Sequence, residues 1–282
     1  MNPVTNITPD PMWTPIPVPP QATVRESLVD VGGAKLWYWD SGGAGHAVIL
    51  LHAGTQSAAG WGYQQPVLAQ AGYRVIAYSR RGYYRSDAGD LNNPGVGSDD
   101  LHRLIQHLKL DKVHLVSAAQ GGFFAIDYTL AYPGKVQSLT VISSYMGITD
   151  ADYVAVNARL RPDFFATLPH DFQELSPSYR AGNPEGHAAW LALQHQAIPG
   201  KRITPKRPQP LTWARLESIP HPALLMTGDS DLYTPPSLLR MQAQHMPHAE
   251  VHIVREAGHS PYWEQPDAFN QILLRFLAKQ QY

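Results

Sequence analysis

The sequence predicts a doubly wound α/β fold on a mostly parallel sheet. Three observations predict it. Apolar and β-branched runs alternate with segments of helical spacing along most of the 282 residues, the pattern of βαβ units. Several of those runs, such as "HAVILLHAG" (46–54) and "VQSLTVISSY" (136–145), are nearly continuous in apolar or β-branched residues, as strands buried on both faces must be. Finally, residues 147–213 break the alternation with helical pieces, many prolines and no clear strand, as an inserted cap would.

Taken in order, residues 1–22 are proline-dense. They can build neither a helix nor a central strand, and read as a surface arm. "RESLVDVGGAKLWYWDSGG" reads as two strands around Gly32-Gly33, a hairpin signal. "WGYQQPVLAQAG" follows the first buried strand with helical spacing, and "YRVIAYSRRG" is the next strand. "SDDLHRLIQHLKLDK" puts Leu101, Leu104, Ile105 and Leu108 on one helical face, with Ser98 as the expected N-cap. "KVHLVSAAQGGFFAIDYTLAYPGKV" (112–136) reads as a strand, a sharp turn and a helix. After the insert, "HPALLMTGDSD" and "AEVHIVREAGH" are strands that end in polar turns, and "PDAFNQILLRFLAKQ" closes as an amphipathic helix. The expected division is therefore an arm (1–22), an α/β core (23–146 and 214–282) and a helical cap (147–213). Within the cap, "PSYRAGNPEG" (177–186) is expected to be a turn between helices.

Composition excludes several functions. Hydrophobic residues make up 44% and charged residues 16% of a chain with net charge −1. That is a globular composition without the basic excess of a nucleic-acid binder. No apolar run of membrane-spanning length is present. Cysteine is absent, so disulfides and thiolate chemistry are excluded. No charged and apolar leader is visible, and a cytoplasmic location is expected. The histidines show no metal-ligand spacing, and neither a dinucleotide fingerprint nor a phosphate loop occurs. No cofactor is expected, and the expected partner is a small-molecule substrate.

Five motifs in order resemble those of the α/β-hydrolase fold, over nearly the whole chain after the arm. His52-Ala53-Gly54 resembles the loop that gives an oxyanion-hole amide. "YSRRGYYRS" resembles the family's D-x-R-G-x-G-x-S turn, with Ser79 and Tyr84 departing from it. "SAAQGG" stands where the nucleophile elbow G-x-S-x-G belongs. "GDSDLYTP" places Asp231 as the acid, with Asp229 as its rival, and "EAGHSPYWEQP" places His259 as the base. The resemblance implies that Asp231 orients His259 and that the amides of Gly54 and Gln120 hold an oxyanion. His52, Arg81 and Ser86 are expected to be scaffolding, and Ser117 to point away from the tip.

The tip of the elbow is Ala119, which has no nucleophile. Three readings follow. A serine at this position would make a hydrolase of an ester, lactone or carbon–carbon bond, of which this chain is a disarmed form. A working alanine enzyme would use the His259–Asp231 pair alone to deprotonate substrate or water, giving lyase, decarboxylase or oxygenase chemistry or direct hydrolysis. A binder would do neither. Aromatic residues near the expected pocket, Trp61, Tyr84, Phe123, Tyr145, Trp190 and Tyr262, favour a small apolar or aromatic substrate. Arg161, Arg180, Lys201 and Arg202 in the cap could meet a carboxylate or simply be solvated.

Overall fold

The computed structural model describes residues 15–280. Its sheet has eight strands: β1 (Arg25–Asp30), β2 (Lys35–Asp40), β3 (Ala47–Leu51), β4 (Arg74–Tyr78), β5 (Val113–Ala118), β6 (Val136–Ile142), β7 (Ala223–Gly228) and β8 (Ala249–Val254). Their spatial order is β1-β2-β4-β3-β5-β6-β7-β8. β1 and β2 form the antiparallel hairpin, β2 pairs antiparallel with β4, and every later pairing is parallel.

The helices are α1 (Gln65–Gln70), α2 (Gly97–His107), α3 (Gly121–Ala131), α4 (Ala151–Arg159), α5 (His170–Glu174), α6 (Pro177–Gly182), α7 (Pro184–Ala197), α8 (Trp213–Glu217), α9 (Pro236–Gln244), α10 (Pro261–Glu264) and α11 (Pro266–Ala278). Alternate residues of the central strands feed opposite layers. Ile49 and Leu115 pack with Leu101, Phe124 and Leu238 of α2, α3 and α9. Leu50 and Val116 pack with Leu68, Phe269 and Leu273 of α1 and α11.

The strand order fixes where a site can form. The chain leaves β3 outward to β4, then returns past β3 to β5. This reversal opens a crevice at the carboxyl ends of β3 and β5, where ligands of open α/β sheets bind. The loop after β3 and the elbow after β5 are therefore its two walls.

Helices α4–α8 lie between β6 and β7. Ile148 and Leu211 form a parallel bridge at the neck of this insert, and the Thr149 N–H donates to the Leu211 carbonyl at 2.9 Å. Arg207 forks onto Asp127 of α3 at 2.7 and 2.9 Å and donates to the Met146 carbonyl. The return leg of the insert is thus pinned to the helix that follows the elbow. The described part of the arm lies along the core: Tyr63 donates to the Ile16 carbonyl, and Gln65 bonds both backbone groups of Ala22.

Two local expectations are corrected. Val96, not Ser98, occupies the N-cap of α2, and no side chain caps it. The helix starts earlier because Gly97 packs against Phe124, where a Cβ would come within 2.3 Å of the ring. The segment 177–186 is not a turn. Ser176 caps α6 by accepting from the Tyr179 N–H, and Asn183 caps α7 by accepting from the Gly186 N–H, each followed by proline at the first helical position.

Candidate active site

The elbow keeps its sharp form. Ala119 has φ +48°, a left-handed conformation that is strained for a residue with a Cβ. Two glycines make the turn possible. A Cβ on Gly121 would lie 2.4 Å from the Leu51 carbonyl oxygen, and one on Gly122 would lie 2.7 Å from Ser144 Oγ. Ser117 offers no substitute nucleophile, because its hydroxyl is buried in the sheet and donates to the Thr140 carbonyl at 2.7 Å.

Opposite the elbow, Asp231 and His259 are brought together from the ends of β7 and β8. His259 Nδ1 lies 3.0 Å from both carboxylate oxygens. Asp231 also accepts from the N–H groups of Tyr233 and Thr234 and from the Thr227 hydroxyl, at 2.7–2.9 Å. Burial alone would raise the Asp231 carboxyl, but the His259 charge and these donors outweigh it and hold the group below its usual range. Burial likewise opposes a charged ring at His259, yet the Asp231 carboxylate raises it above the ordinary imidazole value. Asp229 is left outside this arrangement, and its carboxylate accepts from the Ser230 hydroxyl.

The loop carrying His259 is held by Glu264. Its two carboxylate oxygens accept from the N–H groups of Gly258, Ser260 and Ser176. Burial pushes this carboxyl up to about 7 despite those three donors.

Gly54, Thr55, Ala119, Gln120, Tyr145, His170, Glu174, Arg202, Tyr233 and His259 line one cavity of about 140 Å³. The elbow, the β3 loop, the histidine and the insert therefore meet in one place. This arrangement sets an Asp231-paired histidine beside an elbow whose tip, Ala119, carries no hydroxyl or thiol.

Residues 48–272 match the sequence profile of the Alpha/beta hydrolase family. The chain belongs to that family. A curated relative, the 2-hydroxy-6-oxononadienedioate/2-hydroxy-6-oxononatrienedioate hydrolase of Klebsiella pneumoniae, is 30% identical over 285 aligned residues, covering 92% of this chain and 96% of that protein. Among solved structures, an esterase from Thermogutta terrifontis superposes with TM-score 0.75 at 20% identity, covering 92% of this chain and all of that one. A bromoperoxidase from Bacillus anthracis gives 0.73 at 22%, covering 90% and 100%. At these identities the structural likeness speaks for the fold.

In this α/β-hydrolase the β3 loop is braced by charge. His52 Nδ1 is 2.7 Å from the Ala53 carbonyl, and its Nε2 accepts from the Arg80 N–H. The Arg80 guanidinium is buried and donates to the carbonyls of His52 and Ala53 and to Gln120 Oε1. It has no carboxylate partner among the described residues. A positive charge is therefore held beneath the β3 loop and the Gln120 side chain. Arg202 approaches Gln120 Oε1 from the cap side at 3.4 Å. Arg81 and Ser86 serve the turn: Arg81 forks onto Asp100, and Ser86 bonds the Ser79 carbonyl and the Trp37 N–H.

Of the six aromatics expected around the substrate, only Tyr145 lines this cavity. Trp61, Trp190 and Tyr262 are core residues, at most 2% exposed, and Trp61 packs on Tyr262 at 4.7 Å between centroids. Tyr84 packs on Trp37, and Phe123 lies under Arg207 and against Tyr145. Among the cap cations, Arg161 and Arg180 donate to backbone carbonyls, while Arg202 reaches the cavity. The sequence reading missed Thr55, His170, Glu174 and Tyr233. Tyr233 stood two residues beyond Asp231 and Thr55 one beyond Gly54, so both could be found from the motifs. His170 and Glu174 carry no local signal.

No described helix is long and apolar enough to cross a membrane.

Proposed function

We propose that this α/β-hydrolase cleaves a carbon–carbon or ester bond in a small, carboxylate-bearing substrate, with His259 activating the attacking water. The supporting observation is the intact Asp231–His259 pair facing a cavity whose elbow position is Ala119. A base is in place, and a water can stand where an attacking hydroxyl would. His259 Nε2 removes the water proton, the resulting hydroxide adds to the substrate carbonyl, and the amides of Gly54 and Gln120 hold the oxyanion. Arg80 beneath this wall adds stabilisation that water cannot screen.

The substrate class follows from the lining. The cavity is polar, with Arg202 and His170 at its cap side, which suits an anionic end group. The Klebsiella relative is named for a 2-hydroxy-6-oxo dicarboxylate, in keeping with such an end group. Tyr145 and Tyr233 are aromatic rings of the lining, and the rest of the substrate meets these.

Ala119→Ser tests the reading. The chain as it stands is expected to hydrolyse activated esters and 2-hydroxy-6-oxo dienoates without labelling by a fluorophosphonate probe. Its activity should disappear in His259→Ala. Turnover found only in Ala119→Ser, together with probe labelling, would instead identify the elbow as a disarmed serine site. Decay of an acidic substrate without water incorporation would favour the lyase or oxygenase reading.

A further inference from the structure

One buried titratable group in the cavity has no part in the steps above. Glu174 ends α5 of the insert, is 5% exposed, and lines the same cavity as Ala119 and His259. Its Oε2 accepts from the Thr55 hydroxyl at 2.9 Å. No lysine or arginine forms an ion pair with it among the described residues. Its backbone is fixed to the base. The His259 N–H donates to the Glu174 carbonyl at 2.6 Å, and a Cβ on Gly258 would lie 2.6 Å from the same oxygen. The carboxyl group therefore stands at a set place relative to His259.

We propose that Glu174 is the general acid of the reaction and delivers a proton to the leaving group, so that base and acid roles are divided between His259 and Glu174. The proposal rests on the hydrolytic reading above. In a serine-type site one histidine takes the serine proton and hands it to the leaving group. Here the two transfers have separate owners. His259 takes a proton from water while the hydroxide oxygen bonds to the carbonyl carbon. When the tetrahedral adduct collapses, the C–C or C–O bond breaks, and its electron pair leaves with the departing fragment and takes the Glu174 proton. The proton on His259 then returns to Glu174, so water has supplied OH to one product and H to the other.

The surroundings suit an acid. Burial pushes the Glu174 carboxyl up, against the opposing pull of His259 and the Thr55 bond. Asp231 raises it further and Arg202 lowers it. Tyr233 and Tyr262 also face it, with His170 and Tyr145 on the same cavity.

Glu174→Gln keeps the shape and an acceptor for Thr55 but cannot supply the proton. Two esters of one acid separate the roles. 4-Nitrophenyl acetate expels a stabilised anion that needs no proton, whereas ethyl acetate expels an alkoxide that does. The variant is expected to lose about 10²-fold in kcat/KM on ethyl acetate and to stay within about 3-fold of the parent on the nitrophenyl ester. Equal losses on both esters would mean a structural role and overturn the proposal. If the parent hydrolyses neither these esters nor a 2-hydroxy-6-oxo dienoate, the hydrolytic reading fails, and the acid is read without turnover. Because its carboxyl is raised, Glu174 is expected to contribute a protonated-carboxyl infrared band at pH values where an ordinary glutamate is ionised, read as the part of the band that Glu174→Gln loses, since Glu264 contributes its own. A band that vanishes entirely in Glu264→Gln would leave nothing for Glu174 and overturn the proposal, and this second variant decides the matter even if Glu174→Gln does not fold.

Discussion

Asp231 and His259 are 28 residues apart in sequence and 3.0 Å apart in space, and the carboxylate sets both the tautomer and the basicity of the ring. Because that carboxylate raises the His259 value, activity that needs the neutral ring should rise with pH through a midpoint above about 6.5. Asp231→Asn removes the charge but leaves the burial. The midpoint is expected to move below about 6.5, and kcat to drop by about 10²–10⁴. A kcat–pH profile of both proteins checks this, and an unmoved midpoint would refute the assignment. These two residues were legible in the sequence because each sits in a short turn whose backbone demands are local. The same holds for Ala119, whose neighbours Gly121 and Gly122 are forced by contacts to Leu51 and Ser144. Glu174 was not legible, since nothing within α5 says which way the insert folds over the core. The large aromatics misled for a related reason: bulk that could line a pocket is drawn equally well into packing, as with Trp61 and Trp190.

At the scale of elements, the insert depends on its return leg. Arg207 ties that leg to Asp127, which is 2% exposed, and to the Met146 carbonyl. Asp127→Asn takes the charge from this fork. Unfolding by urea should show a loss of about 1–3 kcal/mol. KM for an anionic substrate should rise more than kcat falls, because Arg202 sits on the same leg. A change in kcat alone would mean that the fork does not position the leg. The strands were readable from their apolar runs, and so was the place of the insert between β6 and β7. The helix starts were not. α2 begins where Gly97 lets α3 approach, a contact between distant segments that outweighs the capping preference of Ser98.

At the scale of the whole molecule, buried titratable groups pull the dependence of stability on pH in both directions. Glu264 is raised to about 7, and His259 and Glu174 are raised as well. For groups raised by the fold, stability is present below their unfolded values and is lost as pH rises through the folded ones. Asp231 is lowered by its partners, and His52, His102, His114 and His170 are lowered by burial; these act oppositely, their stability being present above the unfolded values and lost as pH falls through the folded ones. The Tm is therefore expected to peak near pH about 6.5, to fall toward pH about 5 as the lowered histidines protonate in the unfolded chain, and to fall toward pH about 8 as the raised carboxyl groups ionise. A thermal scan series across that range checks it, and a Tm without a maximum in the same interval would contradict these shifts. None of this could be read from composition, since a net charge of −1 says nothing about which carboxyl groups are buried.

The bond from the His259 N–H to the Glu174 carbonyl joins the end of α5 to the loop that presents the base, and Glu264 doubles the joint by accepting from Gly258 and Ser260 on one side and Ser176 on the other. An outward swing of α5 must break the first connection and strain the second. The wall that carries the Glu174 carboxyl and the loop that presents the imidazole are thus one mechanical piece, tied through main-chain groups that no side-chain substitution at either position removes.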